Sequence, residues 1–187
     1  MYGYISTQRC LGASGSKTQI IRGDEANSNS DYGKPGMFGE DLNSSFYTIE
    51  QPYTLMYTTA SQASYIIEEA PKVDFSGNEK LRNAYIGEAH FWRAFAHYYL
   101  LTNFRQVSPI RQMPRGAEDY VRKPESPEAV WDFIKEDLER AKELLPEKGY
   151  WTGDNAGRVS KAAAAALQGI CYMYRTGIEK HYGTSTQ

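Results

Sequence analysis

Three side chains that could do chemistry stand close together in GEAHFWRAFAHYYLL, residues 87–101: His90, Arg93 and His97. Imidazole can ligate a metal or carry a proton, and a guanidinium can hold an anion. Zinc is argued against by spacing. A helical zinc pair sits at i and i+4, whereas His90 and His97 are seven apart, roughly two turns. The third histidine, His181, is near the C-terminus. These side chains therefore read as packed or hydrogen-bonded members of a helix, and no metal or cofactor is expected.

Other fragments imitate known sites and fail at the decisive position. GASGSKT (12–18) has the look of a phosphate loop, but Ser16 stands where a glycine must precede Lys17, and no strand pattern leads into it. Asn27, Asn29 and Asp31 alternate as in a calcium loop, but Tyr32 replaces the required glycine and the closing acid is missing. Arg22-Gly23-Asp24 is a short tripeptide whose simplest use is to anchor a loop. No nucleophile elbow, H-E-x-x-H or C-x-x-C occurs, so nothing supports catalysis and the chain is read as a non-enzyme.

These residues need a frame, and composition bounds it. With 187 residues, 41% of them apolar and a net charge of −2, the chain can bury a core without disulfides or metal. It has no basic footprint for nucleic acid. No stretch approaches the ~20 apolar residues that would span a bilayer, and the first 30 residues contain no signal-peptide core. The 15 tyrosines favour surfaces where a ring packs and a hydroxyl stays wet. Cys10 and Cys171 are too few and too far apart for a disulfide framework, and Cys171 reads as a small buried hydrophobe.

Residues 1–48 are rich in Gly, Ser, Asn and Tyr and read as an irregular loop region with one short helix near the N-terminus. Four helices follow. The first covers roughly 49–70, with Thr48 and Gln51 as a capping box and Met56, Ala60, Ala63, Ile67 and Ala70 on one face. The second covers 79–104 behind an Asn78 cap. It is apolar over more than half its circumference, as a helix held between neighbours is. After a long connection, Ser126 caps the third, 127–145, whose stripe is Val130, Phe133, Ile134, Leu138, Ala141 and Leu145; Glu136 and Arg140 are spaced to pair outside. The fourth covers 161–176, with Ser160 as cap, Ala164, Leu167, Cys171 and Tyr174 as face, and Gly177 as stop. The fold class is all-α: two helical hairpins of tetratricopeptide (TPR) type, without a literal 34-residue repeat.

At the second helix a family resemblance becomes specific. GEAHFWRAFAHYYLLTNF (87–104) resembles the "A-E-A-x-F-L-R-A-x-x-Y-F-x-L" helix of SusD/RagB proteins, with Glu88, Ala89, Phe91, Arg93, Ala94, Tyr98, Leu101 and Phe104 at matching places. SPEAVWDFIKEDLERAKELLP (126–146) and GRVSKAAAAALQGICYMYRTG (157–177) are similar to two further family helices, and YTLMYTTASQASYII (53–67) to the first. The four lie in family order over about 50–177. The chain departs where the family has F-G-x-V-P: Arg105 replaces the glycine and the proline is displaced to Pro109. Family members also continue well beyond this length.

The resemblance implies a surface-exposed lipoprotein of the outer membrane of Bacteroidota-type bacteria. It would capture oligosaccharide, or in some members peptide, for a SusC-type TonB-dependent transporter. A lipid anchor absent from this chain would hold it to the membrane, and this chain would be an N-terminal part with 49–177 as scaffold and 178–187 as a tail at a truncation point. On that reading the 87–101 stretch is scaffold, with Glu88 and Arg93 in polar contacts. Ligand capture falls to the loop at 22–47, where Arg22, Asp24, Tyr32, Phe38, Asn43, Phe46 and Tyr47 combine rings with hydrogen-bonding groups. The competing reading is a generic TPR-like scaffold that binds other proteins along a concave helical face.

Overall fold

The computed structural model describes residues 1–6, 11 and 47–182. Among these residues the α-helices are α1 (Tyr2–Ile5), α2 (Tyr47–Glu69), α3 (Glu79–Phe104), α4 (Pro127–Leu144) and α5 (Lys161–Tyr182). Among the described residues, β-type pairing is limited to one antiparallel bridge between Val107 and Glu125. The fold is all-α. It divides into two compact units, Met1–Thr59 and Ala60–Gln187, with the division inside α2.

In the first unit, α2 begins two residues before the sequence pattern suggests. Thr48 thus lies in the opening turn instead of capping it, and Pro52 is inside the helix. A proline six residues in lacks only the N–H that would have bonded back toward the first turn. Thr59 turns its hydroxyl onto the Leu55 carbonyl at 2.8 Å, which lets a polar side chain be fully buried.

The second unit is built on α3, α4 and α5. Tyr98 meets Trp131, His97 meets Phe133 and Arg93 meets Asp137, so α3 and α4 run antiparallel. Gln168 meets Glu139 and Arg175 meets Asp132, so α5 returns antiparallel to α4. The chain from the C-terminal half of α2 into the turn before α3 runs antiparallel to α3, with Ser64 on Arg93 and, past the helix end, Phe75 near Tyr85. Of the two expected hairpins, α4 and α5 pack along each other and α2 reaches α3 at Ser64, but the broadest packing is between α3 and α4. The reason is steric. Gly87 stands where a Cβ would come within 2.9 Å of the Leu145 backbone, so its bare backbone lets the end of α4 close onto α3.

Helix ends follow local chemistry. Asn78 Oδ1 accepts from the Leu81 N–H at 3.1 Å, and Ser126 Oγ from the Ala129 N–H at 3.2 Å. The whole α4 stripe from Val130 to Leu145 is buried as its spacing implies. Arg140, however, pairs with Glu143 at 2.8 Å rather than with Glu136. Gly177 does not stop α5, which continues to Tyr182. A single helical glycine costs only about 1 kcal/mol relative to alanine, and no proline follows to enforce an end. Tyr174 is 39% exposed, so it belongs to the rim of α5 and not to its buried face.

Arg105, the residue in place of the family glycine, has φ +60°. The Gln106 N–H donates to the Phe104 carbonyl at 2.6 Å, which closes a classic γ-turn around it. That turn is strained for any residue with a Cβ. Arg105→Gly is expected to raise stability by about 1 kcal/mol, seen as a thermal midpoint higher by roughly 2–4 °C. An unchanged or lower midpoint would show that the arginine side chain offsets the strain.

Candidate functional site

The residues singled out on α3 are held by a polar network inside an otherwise apolar layer. Glu88 is 1% exposed and Arg93 6%. Charges this deep must be paired. Arg93 grips the Asp137 carboxylate with Nε and Nη2, both at 2.7 Å. Its Nη1 donates to the Arg111 carbonyl at 2.8 Å and to Ser64 Oγ at 3.1 Å. Three segments, α2, α4 and the connection after α3, thus converge on one guanidinium. Burial alone would raise the Asp137 carboxyl, but the hydrogen bonds from Arg93 and His90 outweigh it and hold the group below the usual carboxylate range.

His90 Nδ1 lies 2.7 Å from Asp137 Oδ1. A histidine oriented by an aspartate is half of a nucleophilic triad. The nearby serine does not complete it. Ser64 Oγ donates to the Ile110 carbonyl at 3.1 Å and accepts from Arg93, so its hydroxyl is a strut between backbone and guanidinium.

His97 is fully buried and also structural. Its Nδ1 lies 2.8 Å from the Arg93 carbonyl, which can only accept, so that nitrogen carries the proton. Nε2 then accepts from the Ile110 N–H at 3.0 Å. Burial pushes its pKa down to about 4, against the raising effect of the Arg93 carbonyl. The neutral ring pins the connection after α3 to the core. Among the described residues no group of His, Cys, Asp and Glu is arranged to hold a metal ion. Cys171 is buried, and burial pushes its thiol up to about 12, which makes it a poor nucleophile.

Glu88 serves a second tie. It receives Arg158 through both guanidinium edges, Nε to Oε1 at 3.0 Å and Nη2 to Oε2. The hydrogen bonds to Glu88 raise the Arg158 pKa. Glu88 and Arg93 are therefore the polar contacts of the scaffold, as the sequence suggests.

Beside His90 and Arg93, the outer face of α4 forms an open depression of about 760 Å³. Its floor is Phe133 and its walls include Glu136, Glu139, Arg140 and Glu143. The wall charges are paired, Arg140 with Glu143 and Glu139 with Lys142 outside the depression. That is a solvated charged face and not a cluster converging on one reacting atom.

Of the residues read as ligand-facing, Arg22, Asp24, Tyr32, Phe38, Asn43 and Phe46 lie outside the described residues, as do Cys10, Asn27, Asn29 and Asp31. Tyr47 opens α2, and its side chain also lies outside them. Sequence reasoning passed over Asp137 and Ser64 as partners of Arg93, and Arg158 as the partner of Glu88. The available signal was the family resemblance, which puts Glu88 and Arg93 at matching places on a helix apolar over most of its circumference.

The geometry defines a class: a TPR-like helical scaffold stitched by buried ion pairs, without a nucleophile or metal centre among its described residues. The chain matches, over residues 12–173, the SusD-like family described as starch-binding and associating with the outer membrane, and it belongs to that family. It is 28% identical over 185 residues to the SusD-like protein P2 of Formosa agariphila, covering 96% of this chain and 35% of that protein. A crystal structure of a SusD-like protein from Bacteroides fragilis superposes with a TM-score of 0.74 at 24% identity, over 95% of this chain and 34% of the other. Surface glycan-binding protein A from Bacteroides fluxus gives a TM-score of 0.58 at 25% identity, over 71% of this chain and 27% of the other. The chain thus spans about a third of the length of these relatives. Among the described residues no helix is long and apolar enough to cross a membrane.

Proposed function

We propose that this chain is part of a non-catalytic protein that captures oligosaccharide at the outer-membrane surface and hands it to a SusC-type TonB-dependent transporter. The observation that carries this reading is the family match across residues 12–173, which takes in the loop region as well as the helices. The similarity to a surface glycan-binding protein supports the same ligand class. In this reading a lipid anchor places the protein at the membrane. In this reading the helices are the frame, and the loop at 22–47 supplies rings and hydrogen-bonding groups to the sugar.

A glycan array probed with the 187-residue chain, beside a Tyr32→Ala/Phe38→Ala variant, tests the reading. Retention of an oligosaccharide by the native chain and its loss in the variant is the expected result. A native chain that retains no glycan, yet pulls down a protein partner through its helices, would replace capture by the generic scaffold reading.

A further inference from the structure

We infer that the outward face of α5 is a docking surface for a second copy of this chain, packed antiparallel about Gly169. The inference is independent of the glycan-capture reading. The inner face of α5, with Ala164, Leu167, Gln168 and Cys171, is buried in the second unit. The outward face holds Ala162, Ala165, Ala166, Gly169, Met173 and Thr176, all of them exposed. Met173 is 70% exposed, and Ile170 and Tyr172 flank it at 44% and 48%. Between Lys161 and Arg175 the helix has no charged residue on any side. A helix that is apolar all round is normally a buried helix. Among the described residues, only one side of this one is covered.

Gly169 shows how close the partner comes. A glycine inside a helix lowers its stability relative to alanine. Gly87 has a packing reason in this same fold, since a Cβ there would meet the Leu145 backbone at 2.9 Å. A Cβ at Gly169 would meet nothing within 4 Å. The described chain thus gives that glycine no packing role, and a backbone closing onto α5 from outside supplies one.

The face is complementary to itself, which selects a second copy as its occupant. Its N-terminal half is small, with Ala162, Ala165 and Ala166, and its C-terminal half is bulky, with Ile170, Tyr172 and Met173. A twofold axis beside Gly169 lays Met173 of each copy against Ala165 and Ala166 of the other, so large meets small on both sides of the axis. The face carries no charge that its own symmetry mate would repel. Antiparallel packing also brings the positive N-terminal end of each α5 toward the negative C-terminal end of the other. The exposed apolar surface here is on the order of 400 Å² per copy. A pair therefore buries roughly 800–1,000 Å² in total, the range of weak and reversible interfaces. That area suits a dimer with a Kd of roughly 10–100 µM.

The test is sedimentation equilibrium of the 187-residue chain from about 5 to about 500 µM, a range that brackets this affinity. The native chain is compared with Gly169→Ala and Met173→Glu. Both positions open to solvent, so neither change should unfold the monomer, and circular dichroism verifies this. Met173→Glu should raise the Kd at least roughly tenfold by placing two carboxylates in an apolar contact. Gly169→Ala should weaken the dimer several-fold and yet raise the thermal midpoint of the dilute monomer. The direction of packing is read from a mixture of Ala166→Cys and Met173→Cys chains, each also carrying Cys10→Ser, oxidised with diamide. The mixed disulfide should exceed either homodimer. A native chain that stays monomeric at the highest concentration overturns the proposal and leaves the face to a helix of different sequence. A dimer as tight in Met173→Glu, or as tight in Gly169→Ala, overturns it too, because association would then use another face or another crossing. Predominant homodimer disulfides overturn the antiparallel arrangement.

Discussion

Asp137→Ala is expected to cost about 3–5 kcal/mol of folding stability, the usual consequence of removing one partner of a buried ion pair. The carboxylate is 3% exposed, takes two hydrogen bonds from Arg93 and meets His90. Without it, a guanidinium 8% exposed would remain in the core with only Ser64 and the Arg111 carbonyl as partners. Against a typical stability of roughly 5–15 kcal/mol, that loss brings the fold close to its threshold. Urea denaturation followed by circular dichroism measures it. The companion variant Arg93→Met/Asp137→Leu removes both charges and should be more stable than Asp137→Ala alone, because no unpaired charge is left behind. A loss below about 1 kcal/mol in the single variant would mean that water reaches the guanidinium, and the network would not be the tie described here.

The second large effect is a loss of stability in mild acid caused by His97. Its folded pKa of about 4 lies below the ordinary value of 6.5. Between those values the unfolded chain binds a proton that the folded chain refuses. Stability therefore rises with pH through this window and falls as pH drops from 6.5 toward 4. The full drop is about 3 kcal/mol, after which this contribution is flat. Structurally, the incoming proton must go to Nε2, which breaks the bond to the Ile110 N–H. Asp137 adds a second loss at lower pH: below the ordinary aspartate value the unfolded chain takes up a proton that the folded carboxylate, held lower by its partners, still refuses, and the loss is complete once the pH has fallen through the folded value. Stability measured from pH 8 to 3.5 for the native protein and for His97→Gln should differ most in slope between pH 6.5 and 4. If the two slopes coincide, other groups drive the acid response. The variant should also start lower at pH 8, since glutamine cannot be relied on to reach both the Arg93 carbonyl and the Ile110 N–H.

The helices of this protein are legible in its sequence because each carries its own punctuation. Asn78 and Ser126 cap, Pro127 starts α4, and the α4 stripe is spaced to be buried on one side. What spacing alone does not rank is the interior of α3. Trp92, Phe95 and Tyr99 follow helical spacing and look like core, yet they are only half-buried, while Glu88, Arg93 and His97 are among the most buried residues on the helix. Hydropathy ranks a charged side chain as surface unless its partner is known, and here the partners are 44 and 70 residues away. Spacing along one helix carries no information about them; the resemblance to SusD-type helices supplied it instead by marking Glu88 and Arg93. Gly177 misled for a different reason: a glycine permits an end without requiring one. The candidate ligand loop at 22–47 rests on composition and resemblance, since its sequence has no hydrophobic period from which a contact could be derived.

The distance in sequence between Glu88 and Arg158 also sets the order in which the molecule can be completed as it is made. When α3 leaves the ribosome, its carboxylate at 88 and its guanidinium at 93 have no acid or base to meet, and α4 must follow before Asp137 arrives. Arg158 emerges 70 residues after Glu88. At ordinary elongation rates that is an interval on the order of ten seconds. Throughout it, α3 carries an unmatched charge on a face that must be buried. The nascent protein is therefore most open to proteases and most in need of a chaperone during that interval, and it closes when the residue that lies beneath the Tyr85 and Trp151 rings reaches Glu88.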